Sequence, residues 1–359
     1  MHGTIASTQK PRNILTSAQL PKYATLAMLV GSLAVTFGIL SLFGITSPAA
    51  GIIIGAAVYL VGHYALSAAV EGPRKAKDRL ARNVVTGFFI LALFPLFSVI
   101  LGTLSKGLAR FDGEFFNSSM RNIVGEGGGA VHAIWGTLII TGLATLISVP
   151  IGILAAIFLV EYSGSARMTL LARVIRFFVD VMTGIPSIVA GLFAYTIFSI
   201  VLGPGTNNGI SGAAALSVLM IPTVVRSTEE MLRLVPNELR EASYALGVPK
   251  YRTILRIVLP TSVAGIVTGV VLGIARVIGE TAPLLVTAGI TASMNLNPLS
   301  NPMATLPVFV YYEYTTPGAD PMPYIDRAWS GALTLIIIVM GLNLIGRLIA
   351  WKFAPKAGR

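Results

Sequence analysis

"RSTEEMLRLVPNELREASYALGVPKYRTILRIVLP", Arg226–Pro260, is the stretch that decides the fold. It lies between two strongly apolar runs, yet it does not read as a loop. Ser227 and Glu230 have capping-box spacing, which predicts a helix start. Pro236 fits the first turn of a second helix, where its missing N–H costs nothing. Leu239, Ala242 and Leu246 then fall along one helical face. Gly247 supplies the left-handed residue that ends that helix, and Pro249 opens the next. Tyr251, Ile254 and Val258 continue an apolar face ringed by Lys250, Arg252 and Arg256. The pattern predicts a short helix, a sharp glycine turn and a further helix running into apolar sequence. An ordered device of this kind suits a surface that a partner grips.

The sequence around it is that of a membrane protein. Of 359 residues 54% are hydrophobic and 11% charged, against about 25% charged in a soluble domain. Spans of about 20 apolar residues are expected at Ala24–Phe43, Ala49–Val70, Val84–Leu104, His132–Val160, Ala172–Leu202, Gly209–Val225, Thr261–Thr287 and Trp329–Trp351. Pro186 predicts a kink in the fifth, and Pro222 lies near the end of the short sixth. With eight spans and a cytoplasmic N-terminus, only Lys106, Arg110, Arg121 and Arg327 fall outside, and Arg276 falls in the membrane. The other 21 of the 26 Lys and Arg residues are then cytoplasmic. That asymmetry places both termini in the cytoplasm. The net charge of +11 thus reflects basic inner segments and not nucleic-acid binding.

Several chemistries are excluded or disfavoured. The absence of cysteine removes disulfides, thiolate metal sites and cysteine nucleophiles. His2, His63 and His132 lie far apart, match no metal-ligand spacing and read as plain polar or interfacial residues. No phosphate-gripping G-x4-G-K-[ST] loop occurs, so the chain is not itself an ATPase. No nucleophile–base constellation recurs, and no catalytic residue is assigned. No signal peptide is expected, since the first apolar run is longer than a signal's apolar region. No strong internal repeat is visible, which weakens an inverted-repeat secondary transporter. Two outer segments are long: Lys106–Val131, with "VGEGGGA", and the proline-rich Ala288–Arg327. Long connections of this kind are either flexible or docking surfaces. The second reading is favoured slightly for the proline-rich one.

Two charges stand inside an apolar run at "GIARVIGETAPLLV", Gly273–Val286. At about 1.5 Å per residue, Arg276 lies roughly 22 Å from the inner end of its span. Arg276 and Glu280 are four apart, one helical turn, with Pro283 ending or bending the helix beyond them. They form either a structural ion pair or an oxyanion path in which Glu280 moderates the arginine's field; intramembrane charges favour the second. Arginine suits an oxyanion because its planar fork donates two hydrogen bonds and stays charged. Arg226 is either an ordinary flanking cation or the inner mouth of that path. Asp180 is expected to pair with Arg176 across one turn.

Glu241-Ala242-Ser243, Gly247 and Ile257-x-Leu259-Pro260 are similar to the E-A-A-x3-G-x9-I-x-L-P signature of ABC importer permeases, with Ser243 the one departure. "GEGGGAVHAIWGTLIIT", "IPSIVAGL" and "ARVIGETAPLL" resemble the phosphate-importer permeases of the Pst type. The resemblance covers roughly 84–351. It implies an all-α, polytopic fold of about eight transmembrane helices. Residues 84–359 would be a six-helix type I permease core with coupling loop 226–260, and 1–83 an added tail, two-helix hairpin and basic linker. It further implies that Glu241, Ala242, Gly247, Leu259 and Pro260 seat in an ATPase, and that Arg276, Glu280 and Arg226 serve the phosphate path. The implied partners are a homologous second permease (PstC-like), two ATPase subunits (PstB-like) that bind ATP and magnesium, and an extracytoplasmic phosphate-binding protein (PstS-like). This chain would hold no cofactor and would sit among the lipids of a bacterial plasma membrane. Another oxyanion, such as sulfate or molybdate, and an ion-coupled secondary transporter are the alternatives.

Overall fold

A computed structural model describes residues 20, 21, 23–164 and 166–353. His2, Lys10, Arg12, Lys22, Lys356 and Arg359, which enter the sequence argument, lie outside the described residues. Among the described residues the fold is all-α, with seven helices long and apolar enough to cross a membrane, or eight if one bent pair makes a span. This is a polytopic membrane protein. The chain divides into two compact units, Met1–Ile100 and Leu101–Arg359.

The first unit begins with α1 (Ala24–Leu42) and α2 (Pro48–Glu71). Ser47 caps α2 by accepting the Ala50 N–H, and Pro48 follows in the first turn. Small residues bring the two helices together. A Cβ on Gly51 would lie 2.3 Å from the Phe37 ring, and one on Gly55 2.7 Å from Leu33. The outer faces carry exposed Leu26, Val30, Ile52 and Ile53, as expected of helices bathed in lipid. A polar cluster closes the basic end of this unit. His63 is buried between Thr25 and Asn83, and Glu71 accepts from Ser67, Arg79 and the Leu20 N–H. The long helix α3 (Pro73–Gly107) starts here.

The second unit continues with α4 (Gly113–Asn117), α5 (Val131–Ile157) prolonged by a π turn over Phe158–Tyr162, α6 (Ala166–Gly184) and α7 (Ser187–Leu202). Then come α8 (Gly209–Arg233), α9 (Asn237–Ala245), α10 (Lys250–Thr253), a π turn over Ile254–Val258, and α11 (Leu259–Val277). Last are α12 (Ala282–Thr287), α13 (Leu306–Thr315) and α14 (Met322–Phe353). The core forms around α8, whose Ala213, Leu216, Met220 and Val224 are fully buried with Ile140 and Ala144 of α5. A glycine stripe lets α11 approach α8: Gly265 faces Met231, Gly269 faces Ser227, and Gly273 faces Met220 and Val224.

Five expectations are corrected. The fifth span is not one kinked helix: the chain breaks at 185–186 and α6 meets α7 at 111°. Pro186 leaves the helical conformation to become the α7 N-cap, with ψ 138°. The sixth span does not stop near Pro222, because α8 runs on to Arg233. Ser227 therefore caps nothing; mid-helix, its hydroxyl donates to the Thr223 carbonyl (2.8 Å). The seventh span ends at Val277 and resumes as α12 after a turn. His63 and His132, read as polar or interfacial, are both buried.

Candidate functional site

The segment after α8 folds into the helix–turn–helix that its prolines and glycine predict. Pro236 is the N-cap of α9 and Pro249 that of α10. Between them Gly247 adopts φ +75°. Its N–H bonds the Tyr244 carbonyl (2.9 Å) and the Val248 N–H bonds the Ser243 carbonyl (3.2 Å). This is a Schellman closure, which satisfies carbonyls the helix end would leave free. Ser243, the residue departing from the resemblance, is buried and its hydroxyl meets that of buried Thr253 at 2.8 Å. The departure thus ties the two arms of the device together.

Glu241 and Ala242 face outward, as do Leu239, Tyr244, Leu246 and Tyr251; Leu246 is 83% exposed. Leu259 is half-buried and Pro260 exposed in the first turn of α11. The apolar face of α9 is therefore left uncovered, while Ile254 and Val258 turn into the core. Partial burial raises the pKa of the Tyr244 hydroxyl above the usual phenol value, and the carboxylate of Glu161 adds to that while Arg240 opposes it.

One anchor of this device escapes a sequence reading. Arg240 donates to Glu161 through Nε (3.0 Å) and Nη2 (2.9 Å), and to the carbonyls of Leu232 (2.9 Å) and Val235 (2.6 Å). The two side chains are only 12% and 4% exposed. Lys250 donates to the Glu161 carbonyl and lies 5.1 Å from the Tyr162 ring centre. One guanidinium thus joins the end of α8, the start of α9 and the π turn after α5. Glu161 could be singled out as the acid closing a long apolar run, but 79 residues separate it from Arg240.

The membrane charges are arranged differently from expectation. Arg276 and Glu280 form no ion pair: α11 stops at Val277, so the four-residue spacing no longer measures one helical turn. Arg276 is exposed and donates to the Thr223 hydroxyl on α8 (3.3 Å). Glu280 is half-buried in the turn before α12, its N–H bonded to the Val277 carbonyl (3.1 Å). Arg226, one turn beyond Thr223 along α8, pairs with Asp180. Asp180 therefore does not pair with Arg176, which bonds Glu229 instead (3.2 Å). The bend after α6 and the unbroken α8 bring these partners together across helices. Thr223 and Arg276 thus meet across α8 and α11, while Arg226 reaches from α8 to α6. Among the described residues no group of acids and histidines is placed to hold a metal.

The two apolar stretches that carry the resemblance pack on each other. A Cβ on Gly191 of "IPSIVAGL" would lie 2.6 Å from Pro283 of "GETAPLL". The far end of α12 is fastened as well: Asn207 bonds the Val286 carbonyl (2.8 Å), and the Asn208 N–H (3.1 Å) and Ser211 hydroxyl (2.9 Å) bond that of Thr287. Of the proline-rich segment, Met303–Leu306, Val308 and Phe309 are buried, and the Leu306 N–H bonds Thr137 (2.8 Å). Its exposed parts are the stretch at 290–301, where exposed and half-buried residues alternate, and the tip at 314–322. The "VGEGGGA" loop is built rather than slack. Fully buried Arg327 donates to the carbonyls of Gly125 (2.6 Å) and Gly127 (3.1 Å) and to Glu313 (2.7 Å), and Arg110 holds the Gly128 carbonyl (3.0 Å). Burial raises the pKa of Glu313, and Arg327 opposes that shift.

Comparison with known proteins places this architecture. Residues 148–359 match the family described as "Binding-protein-dependent transport system inner membrane component". The phosphate transport system permease protein PstA 1 of Mycobacterium tuberculosis (strain H37Rv) is 45% identical over 284 residues, covering 77% of this chain and 90% of the relative. PstA of Yersinia pestis is 40% identical over 283 residues, covering 79% and 92%. An inward-facing structure of the MetNI methionine ABC transporter superposes with a TM-score of 0.51 at 21% identity, covering 62% of this chain and 95% of that one, a likeness of fold. The chain belongs to the binding-protein-dependent transport system inner-membrane components, among the PstA permeases.

Proposed function

We propose that this chain is the permease subunit of an ATP-driven phosphate importer in a bacterial plasma membrane, with both termini cytoplasmic. It forms half of the translocation path with a homologous second permease (PstC-like). Phosphate arrives from an extracytoplasmic binding protein (PstS-like), and two ATPase subunits (PstB-like) bind and hydrolyse ATP, so this chain performs no hydrolysis. The observation that carries the reading is Arg276, an exposed guanidinium within apolar sequence whose hydrogen-bond partner is a threonine hydroxyl and not a carboxylate. A fork free of an acid can take the oxygens of a dehydrating oxyanion. Glu280, four residues on in the turn before α12, tempers that field so that the anion can leave. Arg226 is offset by Asp180, so an anion reaching it competes with that carboxylate. The uncovered face of α9, with Glu241, Ala242 and the Gly247 turn, supports seating in the ATPase.

The test is ATP-driven phosphate uptake in vesicles containing all four components, with sulfate as competitor. Arg276→Gln should abolish uptake per assembled complex while ATP hydrolysis persists, and Arg276→Lys should restore only part, since lysine lacks the fork. Wild-type uptake by Arg276→Gln, or equal inhibition by sulfate, would overturn the proposal. Single cysteines at Val124 and Leu246 test the orientation, the first reacting with an impermeant reagent from outside and the second from the cytoplasm.

A further inference from the structure

The first turns of α3 carry a charge pattern used by neither the coupling device nor the membrane arginines. The apolar part of α3 runs from Val84 to Leu104, about 30 Å of helix, which fills the hydrocarbon core. Residues 73–83 therefore stand in the headgroup layer. Exposure divides this segment by helical face. Ala76 is fully buried and Arg79, Leu80 and Asn83 half-buried, whereas Arg74, Lys77, Asp78, Ala81 and Arg82 are exposed. Lys75 is half-buried at the border. Arg79 is consumed by Glu71 at 2.5 Å. Among the described residues Arg74, Lys75, Lys77 and Arg82 make no ion pair, and Asp78 is the one acid on their face.

The helical repeat continues this face into the membrane. Val85, Phe88 and Phe89 lie one to four turns above Arg74, Lys77 and Arg82 on the same side, and they are 69%, 68% and 62% exposed. Cations at headgroup level over an exposed apolar stripe match an anionic amphiphile standing upright. A cluster of four or more cations beside a span is what anionic leaflets attract. We propose that this face of α3 binds anionic phospholipids, the phosphate-bearing headgroup held by Arg74, Lys75, Lys77 and Arg82 and the acyl chains lying along Val85, Phe88 and Phe89. The inference rests on the membrane reading alone and is independent of what the permease carries.

The full chain in nanodiscs of mixed phosphatidylglycerol and phosphatidylcholine, followed by native mass spectrometry of the lipids retained, tests this. Wild type should retain phosphatidylglycerol preferentially, and each neutralised cation should lower that preference about fivefold. The double variant Arg74→Gln with Lys77→Gln leaves Lys75, Arg79 and Arg82 to hold the orientation, so it stays informative if the fourfold variant fails to insert. Asp78→Asn should strengthen the preference. Inorganic phosphate should displace no more lipid than chloride at equal ionic strength. An unchanged preference in the double variant or selective displacement by phosphate would each overturn the assignment.

Discussion

Removal of Arg240 should loosen the helix–turn–helix of α9 and α10 without unfolding the protein. The Arg240–Glu161 pair is almost wholly out of water, at 12% and 4% side-chain exposure. Truncating one member of such a pair leaves the other charge buried and alone, at a cost of about 3–5 kcal/mol. Arg240→Ala also frees the carbonyls of Leu232 and Val235, two charge-assisted bonds at 2.9 and 2.6 Å, so the upper part of that range applies. Because the contacts lie at the ends of α8 and α9 and the π turn after α5, the cost falls on a local opening. Hydrogen exchange over 237–253 in the reconstituted complex should accelerate by a hundredfold or more, with α5 and α8 above their last turns unchanged. Glu161→Gln should give much of the same effect, because the amide keeps a hydrogen bond but not the charge. The double variant Glu161→Leu with Arg240→Met should recover more than half of the protection, since it buries no lone charge. Unchanged exchange in Arg240→Ala, or a double variant as damaged as the sum of the singles, would refute the reasoning.

Gly247→Val should cost about 1–2 kcal/mol through its positive φ alone, since no atom lies within 4 Å of a Cβ there; copurification of the ATPase should fall, and Gly247→Asn should be far milder. Gly269→Ala places a Cβ 2.2 Å from the Ser227 hydroxyl oxygen and 2.5 Å from its Cβ, an overpacking cost of about 1–3 kcal/mol; the melting temperature should drop, and Ser227→Gly should restore it. Asp112 caps α4, and its pKa is held below the usual value chiefly by the Phe115 N–H, then opposed by burial and supported by Arg110. A lowered folded-state pKa gives stability that is full above the unfolded carboxylate value, near 4, and is lost as pH falls through the folded one. Exchange at residues 113–117 should therefore rise only below about pH 4, and Asp112→Asn should abolish that dependence.

What the sequence discloses is what local chemistry determines. Gly247 was legible because few residues but glycine enter a left-handed turn readily, and the prolines flanking it fix where helices begin. The capping box at Ser227 was not, because the same hydroxyl is equally satisfied inside a helix by the Thr223 carbonyl. The Arg276–Glu280 pairing failed for a related reason: spacing along the chain measures a turn only where the helix persists, and it ends at Val277. Pro186 announced a disturbance but not the 111° bend, which α7 packing against Pro283 supports from across the bundle. Partners chosen between distant helices, Arg226 with Asp180 and Arg240 with Glu161, leave no trace in periodicity. The long proline-rich segment reads as a docking surface or a flexible connection because its prolines hide the apolar stretch 303–309 that the bundle buries.

The glycines at 265, 269 and 273 recur once per turn, each with an α8 side chain lodged over it. Such a row behaves as a detent. The next position in which α8 side chains again find glycines lies four residues along, about 6 Å away, and everything between forces a collision. Packed helices of this kind step between discrete registers and do not creep. During a transport cycle α8 and α11 therefore travel as one body, carrying Arg226, Thr223 and Arg276 at fixed separations.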